Sequence, residues 1–527
     1  MKRIKEDKLL IIFSFIESFL QVYGYLLYIN KGITSFTFLY LLIVIFLTIP
    51  FYFINSYIFK ILDFKYKKNS KYKFSTKRMF ITWFVLFLLW IPVLLAYYPT
   101  LWVYDVYNQV PHLIGSKISL QHPMMHTLFI ELFLFIGNTI KDYELGMLLL
   151  SIVQMLIMSG IFAYCLEKIK TVIPNKVMRF VVIFLLIIYY GLVPFNSVMS
   201  ISITKDVLFS GFLLLLIIYT YDFLNGDKSK RKKILFVLMS VLILLFKNNA
   251  LFTYLIFMGI IIFSCQKQLL RLSTIGLSLF IIIHFSMVMI LQPNSYGKYE
   301  NLSVVTYNLI EVQRKHPSIK YEDKYMSVMP LECINNGTVS YIKNRADASK
   351  NKFSSCELQR NSEYLLQVWL YYGLKYPTDY LDSWSDLTTG SWYLMDESHA
   401  NTYFGRNQGY LLSDYKKIAG ISDERPESKF PWLYEKLEMI TTNNIQYEEA
   451  TPLRFIFEPA TYVLSFFLII LYMLKNKMKK ELIPLSLLVA LYVSILTGPV
   501  ILVRYIYPYM IIVPYIFAYL MNGKREA

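Results

Sequence analysis

One acidic side chain stands apart in a segment that is otherwise aromatic, aliphatic, basic or neutral. Asp105 is the only acidic residue between Pro99 and Thr127, aromatic residues flank it, and His122 and His126 follow in the same segment. A carboxylate that is partly shielded from water can be tuned to act as a general base. A nearby histidine can orient such a carboxylate or bind phosphate. The pattern favours catalysis by these three residues; the alternative for Asp105 is a solvated loop aspartate or a helix cap.

Three basic residues at the ends of apolar segments form a second candidate group, Lys205, Lys247 and Arg504. Ionisable groups at membrane depth are costly and are kept mainly for function, so three cations at one depth could grip a phosphate or pyrophosphate. Taken singly, each could instead extend its charged head to the membrane surface. Asp206 directly follows Lys205, so it either caps a helix or pairs with a cation across the bundle. The other polar residues that we expect at this substrate-binding site are Gln109, Asn248, Asn249 and Tyr505.

Several common catalytic patterns are missing from the sequence. It contains no glycine-rich phosphate loop, which argues against ATP-driven transport by this chain. It contains no Cys/His zinc spacing and no serine nucleophile elbow. Asp105 has no acidic neighbour, so a divalent metal is not supported and we expect no cofactor.

Long apolar runs must position these residues. Of the 527 residues, 56% are hydrophobic and only 17% are charged, which is unlike a soluble protein of this size. Runs of this kind can cross the hydrocarbon layer as helices. The sequence therefore predicts an all-α polytopic membrane protein with about twelve spans, at Leu9–Ile29, Phe36–Phe59, Met79–Tyr97, Gly146–Leu166, Phe180–Pro194, Val207–Phe223, Ile234–Phe246, Ala250–Ser264, Leu272–Leu291, Phe455–Leu474, Ile483–Thr497 and Tyr505–Met521. One long tilted helix over residues 234–264 is the alternative to two spans there.

Basic residues orient the predicted bundle. With twelve spans, far more Lys and Arg fall in the short loops of one side than in those of the other, and that side is expected to be cytoplasmic, with both termini. The net charge of +17 is then explained by loops that face an anionic leaflet, and it does not indicate binding to nucleic acid. We expect a multi-pass protein of the cell membrane, with the surrounding lipid bilayer as its partner.

Three parts follow from this topology. Residues 1–291 form about nine helices and include the first large outer loop, 98–145. Residues 292–452 are mildly acidic and rich in Trp and Tyr, which predicts a small, mainly helical extracellular domain. Residues 453–527 return as three helices. Cys333 and Cys356 both fall in the extracellular domain, where the oxidising exterior permits either a disulfide between them or two free thiols.

The order of these residues resembles a family of bacterial membrane proteins of unknown function, DUF6020, which looks related to the GT-C class of membrane glycosyltransferases. The resemblance covers residues from about 80 to 515, and each piece is weak alone while the order of the pieces is fairly specific. The residues that carry it are Asp105, Gln109, His122-Pro123, Thr127, Lys205-Asp206, Asn248-Asn249, Glu300-Asn301-Leu302-Ser303, Gln313, Trp369 to Tyr380, Gly390-Ser391-Trp392-Tyr393, Pro499, Arg504-Tyr505 and Pro508.

Similarity to GT-C enzymes implies a bundle of about 11–13 helices, a catalytic aspartate in the first outer loop and a sugar donor carried on polyprenyl phosphate. By that resemblance Asp105 deprotonates an acceptor hydroxyl, and Lys205, Lys247 and Arg504 hold the departing lipid phosphate. The acceptor would be a cell-envelope glycan or a lipid-linked molecule. The sequence lacks the paired acidic residues that some GT-C members carry in that loop.

Three other functions remain open at this point. A transporter or flippase of lipid-linked saccharide would need polar residues deep in the bundle, and the scattered candidates are Glu17, Gln21, Gln154 and His284. A polysaccharide polymerase also combines a large outer loop with a bundle of this size. The fourth interpretation is a structural or binding role for the extracellular domain alone.

Overall fold

The described part of the chain is almost entirely helical. The computed structural model describes residues 2–64, 72–102, 106, 109–111, 116–295, 302–318, 342–346, 362–396, 427–441 and 454–521. Its helices are α1 (Lys2–Tyr28), α2 (Phe38–Asp63), α3 (Thr76–Ala96), α4 (Met124–Thr139), α5 (Tyr143–Val172), α6 (Lys176–Leu192), α7 (Pro194–Ile201), α8 (Lys205–Leu224), α9 (Lys230–Phe246), α10 (Ala250–Phe263), α11 (Lys267–Leu291), α12 (Ser303–Lys315), α13 (Ser362–Lys375), α14 (Pro377–Thr388), α15 (Pro431–Thr441), α16 (Arg454–Phe457), α17 (Pro459–Lys475), α18 (Lys479–Leu496) and α19 (Val503–Leu520).

Seven of the described helices are long and apolar enough to cross a membrane, namely α1 from Lys8 onward, α2, α3, α5, α8, α11 and α19. Helices α6 and α7 meet at a bend of 47° and together pass the same test. Helices α4, α10 and α17 are apolar but shorter. The protein is therefore a polytopic helical membrane protein, as predicted. Helices α9 and α10 are separate, because the chain breaks at residues 247–249 instead of forming one long helix.

The centre of the bundle is formed by helices that are apolar on every side. Buried residues make up 83% of the most apolar stretch of both α8 and α19, but only 11% of that of α2 and α11. A helix without a polar face gains most by contacting protein or lipid all round. Either surrounding suits such a helix, and burial places α8, α19 and α5 in the core and α2 and α11 at the periphery.

Two short strands join the loops at one end of this bundle. β1 (Leu101–Trp102) follows α3 and pairs in parallel with β2 (Ser202–Ile203), which directly precedes α8. Thr100 Oγ1 donates to the carbonyl of Ile201 at 3.0 Å, next to this pair. The loop that continues toward residue 105 thus starts beside the first turn of α8.

The opposite end of the bundle contains ion pairs between loops and helix ends. The Glu167 carboxylate is fully buried and accepts from the Ser75 backbone N–H at 2.9 Å and from Lys170 Nζ at 3.0 Å. Asp222 is bound by Lys168 and Lys232. These contacts give the Glu167 and Asp222 carboxylates, which lie next to the apolar core at that end, oppositely charged partners.

A small helical domain built from α12, α13 and α14 rests on the connection between α1 and α2. Asp382 on α14 accepts hydrogen bonds from Tyr23 Oη at 2.8 Å and from the Ile33 backbone N–H at 2.9 Å. Gln21 on α1 donates to the Trp392 carbonyl and accepts from the Leu394 N–H, both at 2.9 Å. The bundle end that carries these contacts is called the domain end below.

Of the four cysteines, Cys165 is buried and Cys265 is exposed, and neither forms a disulfide. Cys333 and Cys356 lie outside the described residues, so their pairing stays a prediction. Much of the segment 292–452 is likewise outside the described part of the chain.

Replacing Gly32 with Ala should loosen the domain from the bundle. Gly32 has φ 66° and ψ −175°, a conformation that costs other residues about 1–3 kcal/mol. An added Cβ would also lie 2.1 Å from Asp382 Oδ2, so the Ile33–Asp382 hydrogen bond would be lost as well. We expect a lower unfolding midpoint and faster proteolysis of the domain in detergent.

Two other glycines provide matched controls for this prediction. Gly226→Ala introduces backbone strain alone, because φ is 99° and nothing lies within 4 Å of the new Cβ. Gly259→Ala introduces neither strain nor contact. If Gly32→Ala costs no more than Gly226→Ala, then the contact with Asp382 does not hold the domain in place.

Candidate functional site

A single buried carboxylate organises the domain end of the bundle. Asp206 lies in the first turn of α8 and is fully buried. Its Oδ1 is 2.7 Å from Lys247 Nζ, and its Oδ2 is 3.8 Å from Arg504 Nε. Thr204 precedes the helix as its N-cap and donates to Asp206 Oδ2 at 3.2 Å. A negative side chain is favourable at this position because the N-terminus of a helix carries partial positive charge.

Lys247 reaches Asp206 from the C-terminal end of α9, where the chain leaves the helix with an extended backbone. Only 6% of the residue is exposed. Its ammonium group lies over the rings of Phe209 and Tyr505, with Nζ 4.8 and 5.5 Å from the two centroids. Ring faces attract a cation, and the attraction grows when water is excluded. The sequence break at residues 247–249 therefore brings this cation into the core.

Arg504 enters the site from the first turn of α19. Its guanidinium carbon is 5.2 Å from the centroid of the Tyr505 ring, and Nη2 donates to Tyr505 Oη at 3.3 Å. The residue is 9% exposed. Arg504 thus approaches the same carboxylate as Lys247 but from a different helix and at a longer distance.

Lys205 is adjacent to Asp206 in sequence but contacts a different residue. Its Nζ lies 3.1 Å from His122 Nδ1. Successive helix positions point in different directions, which is why the two neighbours separate. His122 is 5% exposed and immediately precedes α4. The contact joins the start of α4 to the start of α8.

The loop before α4 is held by two further predicted site residues. Asn248 Nδ2 donates to the carbonyls of Leu120 and Gln121, at 3.1 and 3.3 Å. His126 Nδ1 lies 2.7 Å from Gln109 Oε1, and both side chains are fully buried. The structure therefore brings together Gln109, His122, His126, Lys205, Asp206, Lys247, Asn248, Arg504 and Tyr505 at the domain end.

One predicted site residue is not part of this arrangement, and another lies outside the described residues. Asn249 is exposed and stands at the N-cap of α10 without a capping side-chain hydrogen bond. Asp105 lies outside the described residues, so its predicted role stays a prediction. Val106, which follows it, is fully buried among Trp102 and Ile203.

Sequence reasoning missed three residues that build the site. Thr204 caps α8, Phe209 lies under Lys247, and Gln154 donates to the Ser200 and Ser202 carbonyls at 2.9 and 2.8 Å. Gln154 carried a signal as a polar residue deep in a span, but its role as a clamp on β2 depends on a contact between distant segments. Phe209 carried no signal among many phenylalanines.

The described side chains of this site carry more positive than negative charge. Lys247 and Arg504 contact one carboxylate, Asp206, and the third cation, Lys205, contacts His122. Electrostatic attraction in a poorly hydrated site is stronger than in water. An anion with several oxygens, such as a phosphate group, is the ligand that lysine and arginine recognise best. Among the described residues no group of three or more His, Cys, Asp or Glu is arranged for a metal ion.

A short segment of the domain approaches the same end of α19. Asp386 on α14 accepts from the Asn344 N–H at 2.9 Å and from Tyr307 Oη at 3.1 Å. Two residues further along, the Ala346 N–H donates to the Pro499 carbonyl at 2.8 Å. Pro499 precedes Arg504 in the loop that opens α19, so the domain and the charged site share a backbone connection.

These observations define a polytopic helical membrane protein with a buried cationic site at the end that carries a small domain. In a comparison with known families, residues 115–527 match a model described as a family of unknown function (DUF6020). The chain belongs to this family, as the sequence resemblance indicated. Asp105 and Gln109 precede the matched region, whereas both histidines and all three cations lie within it. No curated protein and no solved structure matches the chain.

The stability of the domain should depend on pH through Asp386. Burial raises the pKa of this carboxyl from 3.8 to about 6, and the negative charge of Asp396 raises it further. Lys343, the Asn344 N–H and Tyr307 favour the ionised form and offset part of this increase. The folded state therefore keeps a proton that the unfolded chain releases near pH 4. This stabilisation, up to ~3 kcal/mol, is fully present below pH 4 and is lost as pH rises through about 6.

The Asp386→Asn variant isolates this contribution. As pH rises from 4 to 7, we expect the unfolding midpoint of the variant to increase relative to that of the wild type. The reason is that the variant has no ionisable group at position 386. Thermal unfolding in detergent at several pH values measures the difference. A constant difference across this range would show that Asp386 does not titrate between the two states.

Lys247→Met should destabilise the protein strongly, because it leaves the buried charge of Asp206 with the Thr204 hydrogen bond and the longer contact to Arg504. Breaking a buried ion pair from one side typically costs about 3–5 kcal/mol. The double variant Asp206→Asn/Lys247→Met should recover most of that loss. A double-mutant cycle on the unfolding midpoint gives the coupling.

An exposed ion pair is the control for this cycle. Arg314 lies 2.8 Å from Glu311 but has a half-exposed side chain. Arg314→Met should cost less than about 1 kcal/mol. Equal effects of the Lys247 and Arg314 variants would contradict the central role of the Asp206–Lys247 pair.

Proposed function

We propose that the chain is a membrane glycosyltransferase of the GT-C type, which transfers a sugar from a polyprenyl-phosphate-linked donor to a cell-envelope glycan or a lipid-linked acceptor. The proposal includes about twelve spans, cytoplasmic termini and an extracellular domain. It places the reaction at the domain end of the bundle, on the extracellular side of the cell membrane.

The observation that carries this proposal is the convergence of Lys205, Lys247 and Arg504. These cations come from the ends of α8, α9 and α19, far apart in sequence, and they surround one buried carboxylate. If these two lysines and one arginine only extended their charged groups to the membrane surface, they would not be expected to lie close together. Asp206 holds two of them inside the bundle, and a phosphate at the depth of lipid headgroups is the ligand that such a group of cations would bind.

The orientation rests on the charge of the two bundle ends. Basic residues that the sequence assigns to cytoplasmic loops, such as Lys168, Lys170 and Lys232, lie at the end opposite to the domain. Positive loops favour the cytoplasmic side. The cationic site and the domain then face the exterior, where lipid-linked sugars are used to build the envelope.

The proposed chemistry is a displacement at the anomeric carbon of the donor. The acceptor hydroxyl oxygen forms the new bond, and Asp105 takes its proton. The bond between the anomeric carbon and the phosphate oxygen breaks, and the lipid phosphate leaves with the electron pair. Lys205, Lys247 and Arg504 stabilise the negative charge that grows on that oxygen.

Asp105 is bonded to Val106, which packs against Trp102 and Ile203 at the β1–β2 pair. Asp206 follows Ile203 by three residues, and three residues span at most about 11 Å. Val106 therefore lies in the neighbourhood of the cation site. Its sequence neighbour Asp105 is the residue that we propose as the base of a shared reaction site.

A transporter or flippase is less well supported. The polar residues that could line a path through the bundle have structural contacts instead. Gln21 binds the domain, Gln154 clamps β2, and Glu17 accepts from Asn55 Nδ2 at 2.5 Å between α1 and α2. His284 lies against Phe280 and Phe285 on the peripheral helix α11.

Asp105→Asn should abolish sugar transfer while leaving expression unchanged, because the amide cannot accept the acceptor's proton. The measurement is mass spectrometry of envelope glycans from a deletion strain that carries either the wild-type or the variant chain. Asp142→Asn is the matched control, since Asp142 caps α5 and Asn is an equally good cap.

The expected glycan profile with Asp142→Asn is that of the wild type, and with Asp105→Asn that of the deletion strain. Glycans restored by Asp105→Asn would refute the catalytic role of Asp105. Products that differ in chain length instead of in decoration would identify the acceptor as a growing polysaccharide and the enzyme as a polymerase.

A further inference from the structure

The two histidines of the site have different partners, and those partners fix where each imidazole carries its proton. His122 and His126 are both buried and lie on either side of the start of α4. A neutral imidazole has one nitrogen that donates and one that accepts. The nature of each partner therefore decides which nitrogen is which.

His122 must accept at Nδ1. Its neighbour at 3.1 Å is Lys205 Nζ, and an ammonium group has three donors and no acceptor. A second proton on the ring would place two cations face to face, in a site where Lys247 and Arg504 already add positive charge. His122 is therefore neutral and carries its proton on Nε2, which makes that nitrogen a hydrogen-bond donor.

His126 has the opposite arrangement. Its Nδ1 is 2.7 Å from Gln109 Oε1, and a carboxamide oxygen only accepts. The proton of His126 is therefore on Nδ1. This hydrogen bond connects α4 to Gln109, four residues after Asp105 in the sequence.

We propose that the two histidines have different roles: His122 is an anion-binding residue whose Nε2–H joins Lys205, Lys247 and Arg504 on the donor phosphate, and His126 is a positioning residue that fixes Gln109, four residues after Asp105. The inference rests on the proposed function for the identity of the anion as a lipid phosphate. The assignment of the two protons rests only on the contacts with Lys205 and Gln109.

Lys205 supports this assignment of roles because it holds His122 in one orientation. The Nζ–Nδ1 contact turns the ring so that Nε2 points away from Lys205, and both groups can then donate to different oxygens of one phosphate. Donors to a charged acceptor form stronger hydrogen bonds than donors to a neutral one. His122 thus adds a neutral donor where a fourth cation would be too costly.

The proton assignment can be measured without any enzymatic assay. The chain has six histidines, and their ¹⁵N signals in histidine-labelled protein in lipid discs distinguish the two tautomers and the imidazolium form. Loss of a signal in His122→Asn and in His126→Asn assigns the two residues. We expect protonated Nε2 for His122 and protonated Nδ1 for His126. The same tautomer in both, or a charged His122, would overturn the proposal.

Ligand binding separates the two roles. The probe is farnesyl phosphate, titrated into the purified full chain in detergent. His122→Asn keeps an acceptor for Lys205 in the place of Nδ1 but removes the Nε2 donor, so it should weaken binding about tenfold or more. His122→Gln places an amide N–H near the former Nε2 and should bind several-fold better than His122→Asn. Equal binding by both variants and the wild type would overturn the anion-binding role of His122.

Variants of His126 should leave farnesyl phosphate binding unchanged and lower kcat for transfer. His126→Asn keeps a donor for Gln109 and should retain more activity than His126→Leu, which has none. A weaker phosphate affinity in both variants, with equal loss of kcat, would contradict a positioning role. Size-exclusion profiles and unfolding midpoints confirm that each variant is folded.

These experiments also distinguish this inference from the proposed function. If no glycan transfer is found, but His122→Asn loses farnesyl phosphate affinity and the two tautomers are as assigned, the phosphate site stands and the transferase proposal falls. If transfer depends on Asp105 while farnesyl phosphate affinity is the same in His122→Asn and the wild type, the transferase proposal stands and the role of His122 falls.

Discussion

The contact between Asp206 and Lys247 is the constraint on which the domain end of the bundle depends. A fully buried carboxylate cannot remain ionised without a partner, and the nearest cation comes from the end of a different helix. The ends of α8 and α9 must therefore meet, and Arg504 brings the start of α19 to the same point. Three helix ends that are remote in sequence are thus fixed by one negative charge.

In the domain, a single lysine lies among several carboxylates, whereas at Asp206 a single carboxylate lies among several cations. Lys315 on α12 lies near three carboxylates, at 3.0 Å from Asp379, 3.6 Å from Glu311 and 3.7 Å from Asp382. Asp382 in turn binds the connection between α1 and α2, so this lysine links the domain's helices to the bundle. The carboxylates there outnumber the lysine, whereas cations outnumber the carboxylate around Asp206. Among the described residues, the site around Asp206 is therefore the better match for an anionic ligand.

Features that depend on local composition could be predicted from the sequence, whereas contacts between distant segments could not. Apolar runs predicted the helices, and family membership was recognised from the order of polar residues. Twelve spans stay a prediction, because helices such as α9 and α10 are too short or too charged to be identified as spans by length and hydropathy. Pairing of Asp206 with a cation across the bundle was one of the two alternatives that the sequence left open. Which cation it binds was not predictable, since Lys247 is 41 positions away and the sequence neighbour Lys205 turns to His122. The two-residue strands and the docking of Asp382 on Tyr23 and Ile33 left no periodic pattern in the sequence.

The differences among the three cations suggest how one site can be both stable and able to bind. Lys247, with the shortest contact to Asp206 and two ring faces around its ammonium group, is committed to the fold. Arg504 lies 3.8 Å from the carboxylate and presents a planar group with five donors, so it can contact Asp206 and a ligand together. The N-termini of α8 and α19 add partial positive charge at the same place. Asp206 therefore keeps Lys247 and Arg504 assembled in the absence of a ligand, and these cations with Lys205 are the groups that a phosphate would contact in the proposed reaction.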